Sequence, residues 1–213
     1  MLNKLIWNDV QQNKLSSAAT VFFMAVSAMM LALTAMLFSS LLGSVNGLME
    51  QAQAPDLVQM HTGALIEGEI GQFARENQEI SQWQICRFLN LDNSQVTLGG
   101  YNLLDSTQDN GLCVQSERFD YLLDIDNNRL EVLPGQVYVP VCYRMRYDLS
   151  VGDTMQISDE MLTIAGFLRD AQMNSMMASS KRFLVSEWDY ERLKSCGEEE
   201  YLIEFLLKDN VNA

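Results

Sequence analysis

No charged residue occurs between Lys14 and Glu50, and that gap constrains the fold more than any other feature of the chain. Within it, Ala18 to Leu42 is apolar apart from Thr20, Ser27, Thr34, Ser39 and Ser40. At about 1.5 Å per residue, such a helix crosses a hydrocarbon core of roughly 30 Å with residues to spare. Its hydroxyls can return their hydrogen bonds to the preceding turn, so they cost little in lipid. A transmembrane helix over residues 15–43 is predicted. The rival reading, a cleaved signal peptide, draws on Lys4 and Lys14 before the run and on Ala52-Gln53-Ala54 after it. A signal's apolar region usually covers about 7–15 residues, far fewer than here, and the triplet lies well beyond the run.

The flanks give a direction. The first 14 residues carry Lys4, Lys14 and the free amine against Asp9, whereas the far side opens on Glu50 and Asp56 with no Lys or Arg before Arg75. Positive flanks stay in the cytoplasm, so residues 43–213 are expected outside. That part holds 12 basic and 27 acidic residues, a formal charge of −15. With no basic cluster to neutralise phosphates, nucleic-acid binding is excluded. Residues 1–14 read as a cytoplasmic amphipathic segment: Leu2, Leu5, Ile6 and Val10 share a helical face, and Trp7 can anchor it among lipid headgroups. The plainer reading is a positively flanked lead-in with no separate role.

Ala18, Ala25, Ala28, Ala32, Ala35 and Ser39 recur at intervals of seven, three, four, three and four, which places them on one stripe of the helix. In lipid, a row of small side chains lets a second helix approach closely, and packing of this kind drives association. A tether needs no such stripe, although alanine is also common in membrane spans. Ala25, Ala28, Ala32 and Ala35 are therefore candidate helix-packing residues, and further membrane helices are the partners implied.

Residues 44–55 are polar and small, suiting a helical extension that becomes a linker. Beyond it, segments alternate in type over residues 56–213. Strands are predicted at Asp56–His61, Ile80–Asn90, Gln95–Leu98, Val137–Tyr143, Met161–Leu168, Phe183–Val185 and Tyr201–Leu207, and helices at Glu67–Gln78 and near Glu187–Lys194. The second and third strands are expected to meet at the turn Asp92-Asn93-Ser94, and Tyr121-Leu122-Leu123 to lead into a polar turn at Asp124–Asn128. This order describes an extracytoplasmic α+β domain.

No catalytic grouping emerges from the residues. There is no Gly-rich phosphate loop, no nucleophile elbow, and one histidine, His61, which reads as a strand residue. The spacings of Cys86, Cys113, Cys142 and Cys196 suit no metal site. Their even number permits disulfides, but Cys86 and Cys142 sit in apolar strand patterns, which favours buried thiols. Asp124-Ile125-Asp126-Asn127-Asn128 lacks the glycine and the closing glutamate of a calcium loop and reads as a turn. Glu198-Glu199-Glu200 reads as a solvated turn. Met173, Met176 and Met177 lie in an uncharged stretch after a strand. Adaptable thioethers there suit contact with a partner, packing on the domain's own sheet is the rival reading, and copper ligation lacks a supporting His or Cys.

Three stretches together resemble the N-terminal part of an ABC-transporter permease of the FtsX/MacB type. The start, Trp7-Asn8-Asp9-Val10-Gln11-Gln12-Asn13-Lys14 running into the apolar span, is similar to that family's lead-in segment. Val137-Tyr138-Val139-Pro140-Val141, followed by Tyr147-Asp148-Leu149-Ser150-Val151-Gly152-Asp153-Thr154, resembles its strand, helix and Gly-Asp turn. Leu162-Thr163-Ile164-Ala165-Gly166-Phe167-Leu168-Arg169-Asp170, ahead of Phe183-Leu184-Val185-Ser186-Glu187, resembles the strand that follows.

The resemblance implies a domain like the MacB periplasmic core and a cell-membrane location. It also implies a separate cytoplasmic ATPase subunit that binds ATP, so that this chain holds no cofactor and catalyses nothing itself. A permease dimer acting in export or mechanotransmission is the expected assembly. Family members continue into at least three further membrane helices, which are expected elsewhere than in residues 1–213. The alternative from another class is a single-pass extracellular sensor or adhesion module, and a membrane-anchored enzyme ranks third.

Overall fold

The computed structural model describes residue 11 and residues 13–208. Leu2, Lys4, Leu5, Ile6, Trp7 and Val10 of the expected amphipathic segment lie outside the described residues. The chain divides into two units, Met1–Gly47 and Leu48–Ala213, which are taken separately below.

Helix α1 (Lys14–Ala52) runs 39 residues without a break, about 58 Å at helical rise, and is long and apolar enough to cross a membrane. The hydroxyls of Thr20, Thr34 and Ser44 each donate to the carbonyl four residues back, at 2.9, 2.8 and 2.9 Å, which is how polar residues fit an apolar span. The helix covers most of the expected linker and ends where Gln53 turns to φ 50°.

The described residues 48–208 carry a ten-stranded mixed sheet with helices, an α+β layout. The strands are β1 (Leu57–Thr62), β2 (Ile80–Leu91), β3 (Val96–Leu98), β4 (Tyr101–Asn102), β5 (Asp109–Cys113), β6 (Gln136–Pro140), β7 (Thr154–Ile157), β8 (Glu160–Leu168), β9 (Ser180–Val185) and β10 (Gly197–Leu207). Three short helices accompany them: α2 (Glu67–Glu76), α3 (Val141–Arg146) and α4 (Glu187–Leu193). The order across the sheet is β1-β10-β2-β5-β9-β6-β8-β7-β3-β4. The β5–β9 and β6–β8 pairs are parallel, and the others antiparallel. One face carries the main core, including Leu89, Leu112, Val137, Tyr143, Ile164, Phe183 and Tyr190. A smaller cluster with Leu122, Leu168 and Leu184 packs elsewhere, and every residue of β9 is buried.

The structure corrects four details of the sequence reading. Val137–Tyr143 is not one strand: Pro140 has no N–H to continue the ladder, and the chain turns into α3, which places Cys142 on a helix. The strands flanking Asp92–Ser94 do not pair with each other. Instead β2 lies between β10 and β5, and β3 between β4 and β7. Glu198–Glu200 belongs to β10, where Lys194 and Tyr201 donate to Glu199 (2.9 and 3.0 Å) and Asn90 to Glu200 (2.9 Å). Finally, β5 was not anticipated, because Asp-Asn-Gly-Leu-Cys shows no apolar alternation.

Candidate functional site

Along α1, the side chains of Ala25, Ala28, Ala32 and Ala35 are all exposed, as are Met29, Met30, Leu33, Met36 and Leu37 around them. The stripe therefore has no partner among the described residues.

The C-terminal end of α1 belongs to the folded domain. Leu48 and Ala52 are buried with Leu123. A helix leaves its last carbonyls without intrahelical donors. Here the Tyr121 N–H donates to Ala52 O (2.7 Å) and the Asp120 N–H to Gln53 O (3.0 Å). Gln53 and Asp120 both adopt left-handed backbone, φ 50° and 54°, at a cost of about 1–2 kcal/mol each for a non-glycine residue.

Asp120 leads from that seam into a buried ionic cluster. Its Oδ2 accepts from Arg182 Nη1 at 2.5 Å. Arg182, on β9, also clamps Asp170 at the end of β8 through Nε and Nη2, both at 2.7 Å, and has Glu204 of β10 at 3.9 Å. The four side chains are almost wholly buried. One guanidinium faces three carboxyl groups, so full ionisation would leave two uncompensated charges in a low-dielectric site.

The geometry shows which carboxyl departs from its ordinary behaviour. Burial would raise Asp170, but the Arg182 charge and its hydrogen bonds, with N–H donors from Met173 and Gln172, outweigh it and hold the group below the usual carboxylate value. Glu204 has the Gln84 amide (2.7 Å) but no hydrogen bond from Arg182. Burial, and then the charge of Asp120, push it up to about 8. Among the described residues, Asp120 Oδ1 and Glu204 Oε1 are both buried without a hydrogen-bond partner, and a proton on Glu204 would bond the two carboxyl groups. Sequence reasoning missed this cluster. Asp120, Asp170, Arg182 and Glu204 are far apart in the chain, and only the sheet order brings them together.

The methionine stretch splits. Met173 is buried at 9 % exposure against Phe88 and Leu202 of the sheet, whereas Met176 is 38 % and Met177 94 % exposed. The loop is held by Lys181, whose buried ammonium donates to the carbonyls of Ser175 (2.8 Å), Ala178 (3.1 Å) and Ser180 (3.0 Å). Gln108 Nε2 adds a bond to Met176 O at 2.6 Å. Of the three candidate contact residues, Met176 and Met177 reach solvent and Met173 belongs to the core.

All four cysteines are free thiols, Cys113 buried and the others half-buried. Burial raises Cys113 and Cys142, and burial with the charge of Glu204 takes Cys86 to about 12, so these thiols stay protonated near neutrality. His61 lies on β1 with Nε2 3.1 Å from Ala64 O. The Asp124–Asn128 segment is a turn closed on Asp124 Oδ1 by the N–H groups of Asp126 and Asn128, both at 2.8 Å. Among the described residues, no group of three or more His, Cys, Asp or Glu side chains is arranged to hold a metal ion. A cleft of about 1020 Å³ opens between β2 and residues 114–118 and 129–132.

In comparisons with known proteins, no family model matches the chain and no curated protein matches it.

Proposed function

We propose that this chain is the N-terminal part of a permease subunit of the FtsX/MacB type, with residues 1–14 cytoplasmic and the α+β domain outside the cell. A separate ATPase hydrolyses ATP in the cytoplasm, neighbouring membrane helices move, and α1 passes that movement to the domain for export or mechanotransmission. The domain plays the part of the periplasmic core of MacB. The observation that carries this reading is the capped end of α1. The carbonyls of Ala52 and Gln53 are bound by residues 120 and 121, and Asp120 is bound in turn to Arg182 and through it to Asp170. A helix that merely tethers a module has no need to end in such a chain of bonds. The exposed stripe Ala25, Ala28, Ala32 and Ala35 supports the same reading by offering a face for the remaining helices and for a permease dimer.

Co-purification from native membranes tests the proposal. Ala28→Leu and Ala32→Leu each place four-carbon side chains in the close-packing face. Recovery of a membrane partner and an ATPase with the wild type, and its loss with either variant, is the expected result. Unchanged recovery with both variants, or recovery of neither partner with the wild type, overturns the permease reading in favour of a single-pass module.

A further inference from the structure

The sheet contains an interruption that leaves part of β2 without a neighbour. On one side β2 pairs with β10 along its whole length, but β5 joins its other side only at Leu89–Leu91. Beyond that point residues 114–118 leave the ladder, and only side chains cross. Cys86 Sγ meets Ser116 Oγ at 3.3 Å, Gln84 Nε2 donates to Phe119 O at 3.0 Å, and Arg118 Nη1 donates to Trp83 O at 3.1 Å.

The last of these bonds fixes which main-chain groups face the cleft. In an antiparallel strand the N–H and C=O of one residue point to the same side, and those of the next residue to the other. Since the Trp83 carbonyl turns toward Arg118, the main chain of Ile85 and Arg87 turns the same way. One other observation agrees. Phe205, the partner of Trp83 on β10, sends its carbonyl away from β2 to the Asp56 N–H at 3.0 Å. By this alternation the N–H and C=O of Ile85 and Arg87 face away from β10, and among the described residues no main-chain bond from residues 114–118 reaches them.

Four main-chain groups in a half-buried cleft form a template for one more strand. The cleft's volume of about 1020 Å³ lies at the upper end of the roughly 300–1,000 Å³ common for ligand sites. Its charges indicate the occupant. Arg87 is bound by Glu187 and Glu191 at 2.5 Å each, Arg118 by Trp83 O, and Arg129 by Ser116 O while stacked over Tyr121. Glu67, Glu117 and Glu131 line the same cleft, are exposed and have no ion pair among the described residues. Carbonyl bonds leave the charges of Arg118 and Arg129 in place, so with Glu191 the cleft sets three arginines against five glutamates, a formal balance of −2.

We propose that this cleft binds an extended, basic polypeptide segment, which adds to β2 as a strand through the main chain of Ile85 and Arg87. The proposal stands independently of the permease reading.

The test uses the full chain in lipid nanodiscs and a capped heptapeptide of alternating lysine and valine. Binding is followed by Trp83 fluorescence, with Trp83→Phe as the blank, and by amide exchange at Ile85 and Arg87. The expected result is saturable binding with exchange at both amides slowed about tenfold. Two further peptides carry N-methyl groups on the odd or on the even amides, and one of the two is expected to bind about tenfold more weakly through lost ladder bonds. The triple variant Glu67→Gln/Glu117→Gln/Glu131→Gln, altered only at exposed sites, is expected to lose several-fold in affinity at low salt. Equal binding by both N-methylated peptides, unchanged exchange at Ile85 and Arg87, or equal binding of a glutamate–valine peptide overturns the proposal. So does slowed exchange at these amides in a dimer without peptide, which would make a second copy the occupant.

Discussion

Glu204→Gln is expected to stabilise the protein above neutral pH and to change little below pH 5. Glu204 is fully buried, and its folded value of about 8 stands against an ordinary 4.5. A carboxyl raised on folding favours the fold fully below its unfolded value, and that contribution is lost as pH climbs toward the folded one. Each intervening pH unit costs about 1.4 kcal/mol, so the wild type should lose on the order of 3 kcal/mol between pH 5 and pH 7.5. Asp170 acts in the opposite, acidic window. Held below the usual carboxylate value, it loses its contribution only as pH falls below the ordinary 3.8. A glutamine at 204 can accept from Gln84 Nε2 with its oxygen and donate its NH₂ toward Asp120 Oδ1, reproducing the protonated acid without titrating. Urea unfolding of the full chain in detergent, followed by tryptophan fluorescence from pH 5 to 8, measures the effect. The variant should match the wild type at pH 5 and exceed it by roughly 2–3 kcal/mol at pH 7.5 to 8. A constant loss of stability across the whole range would refute the reasoning, because it would mean that the fold requires an ionised Glu204.

Asp170→Ala leaves Arg182 buried without its two-point partner and should cost about 3–5 kcal/mol in the same urea assay. Met173→Ala empties a packed site beside Phe88 and Leu202 and should cost about 2–5 kcal/mol. Met177→Ala, at 94 % exposure, should fall within about 0.5 kcal/mol of the wild type. Gly111→Ala sets a methyl carbon 2.3 Å from the ring of the fully buried Phe88. Such overpacking should lower stability by about 1–3 kcal/mol, read as an earlier urea midpoint.

What could be read in advance was whatever repeats locally. The apolar run made α1 legible, and β2, β8 and α4 follow short-range patterns that mark their limits within a residue or two. Gly152-Asp153 opens β7 as a turn should, with Gly152 at φ 97°. Patterns of this kind do not encode neighbours across a sheet. Nothing in Asp109–Cys113 announces an interior strand, and its burial comes from lying between β2 and β9. Nothing local in the sequence marks Lys181 and Arg182 as buried, yet both are, because β9 is covered on each face. The uncharged methionine stretch offered two readings, a contact surface or packing on the sheet, and the fold divides it between core and solvent. The Ala stripe was legible at once, since helical spacing alone defines it.

The central claim, that α1 has protein neighbours in the lipid on its small-residue face, is tested most directly by photo-crosslinking in native membranes. A photoreactive side chain is placed at Ala32 in one variant and at Met30, on the far side of the helix, in another. The account predicts an adduct with another membrane-spanning protein from position 32 and only lipid adducts from position 30. Lipid adducts alone from both positions, or identical protein adducts from both, would contradict it.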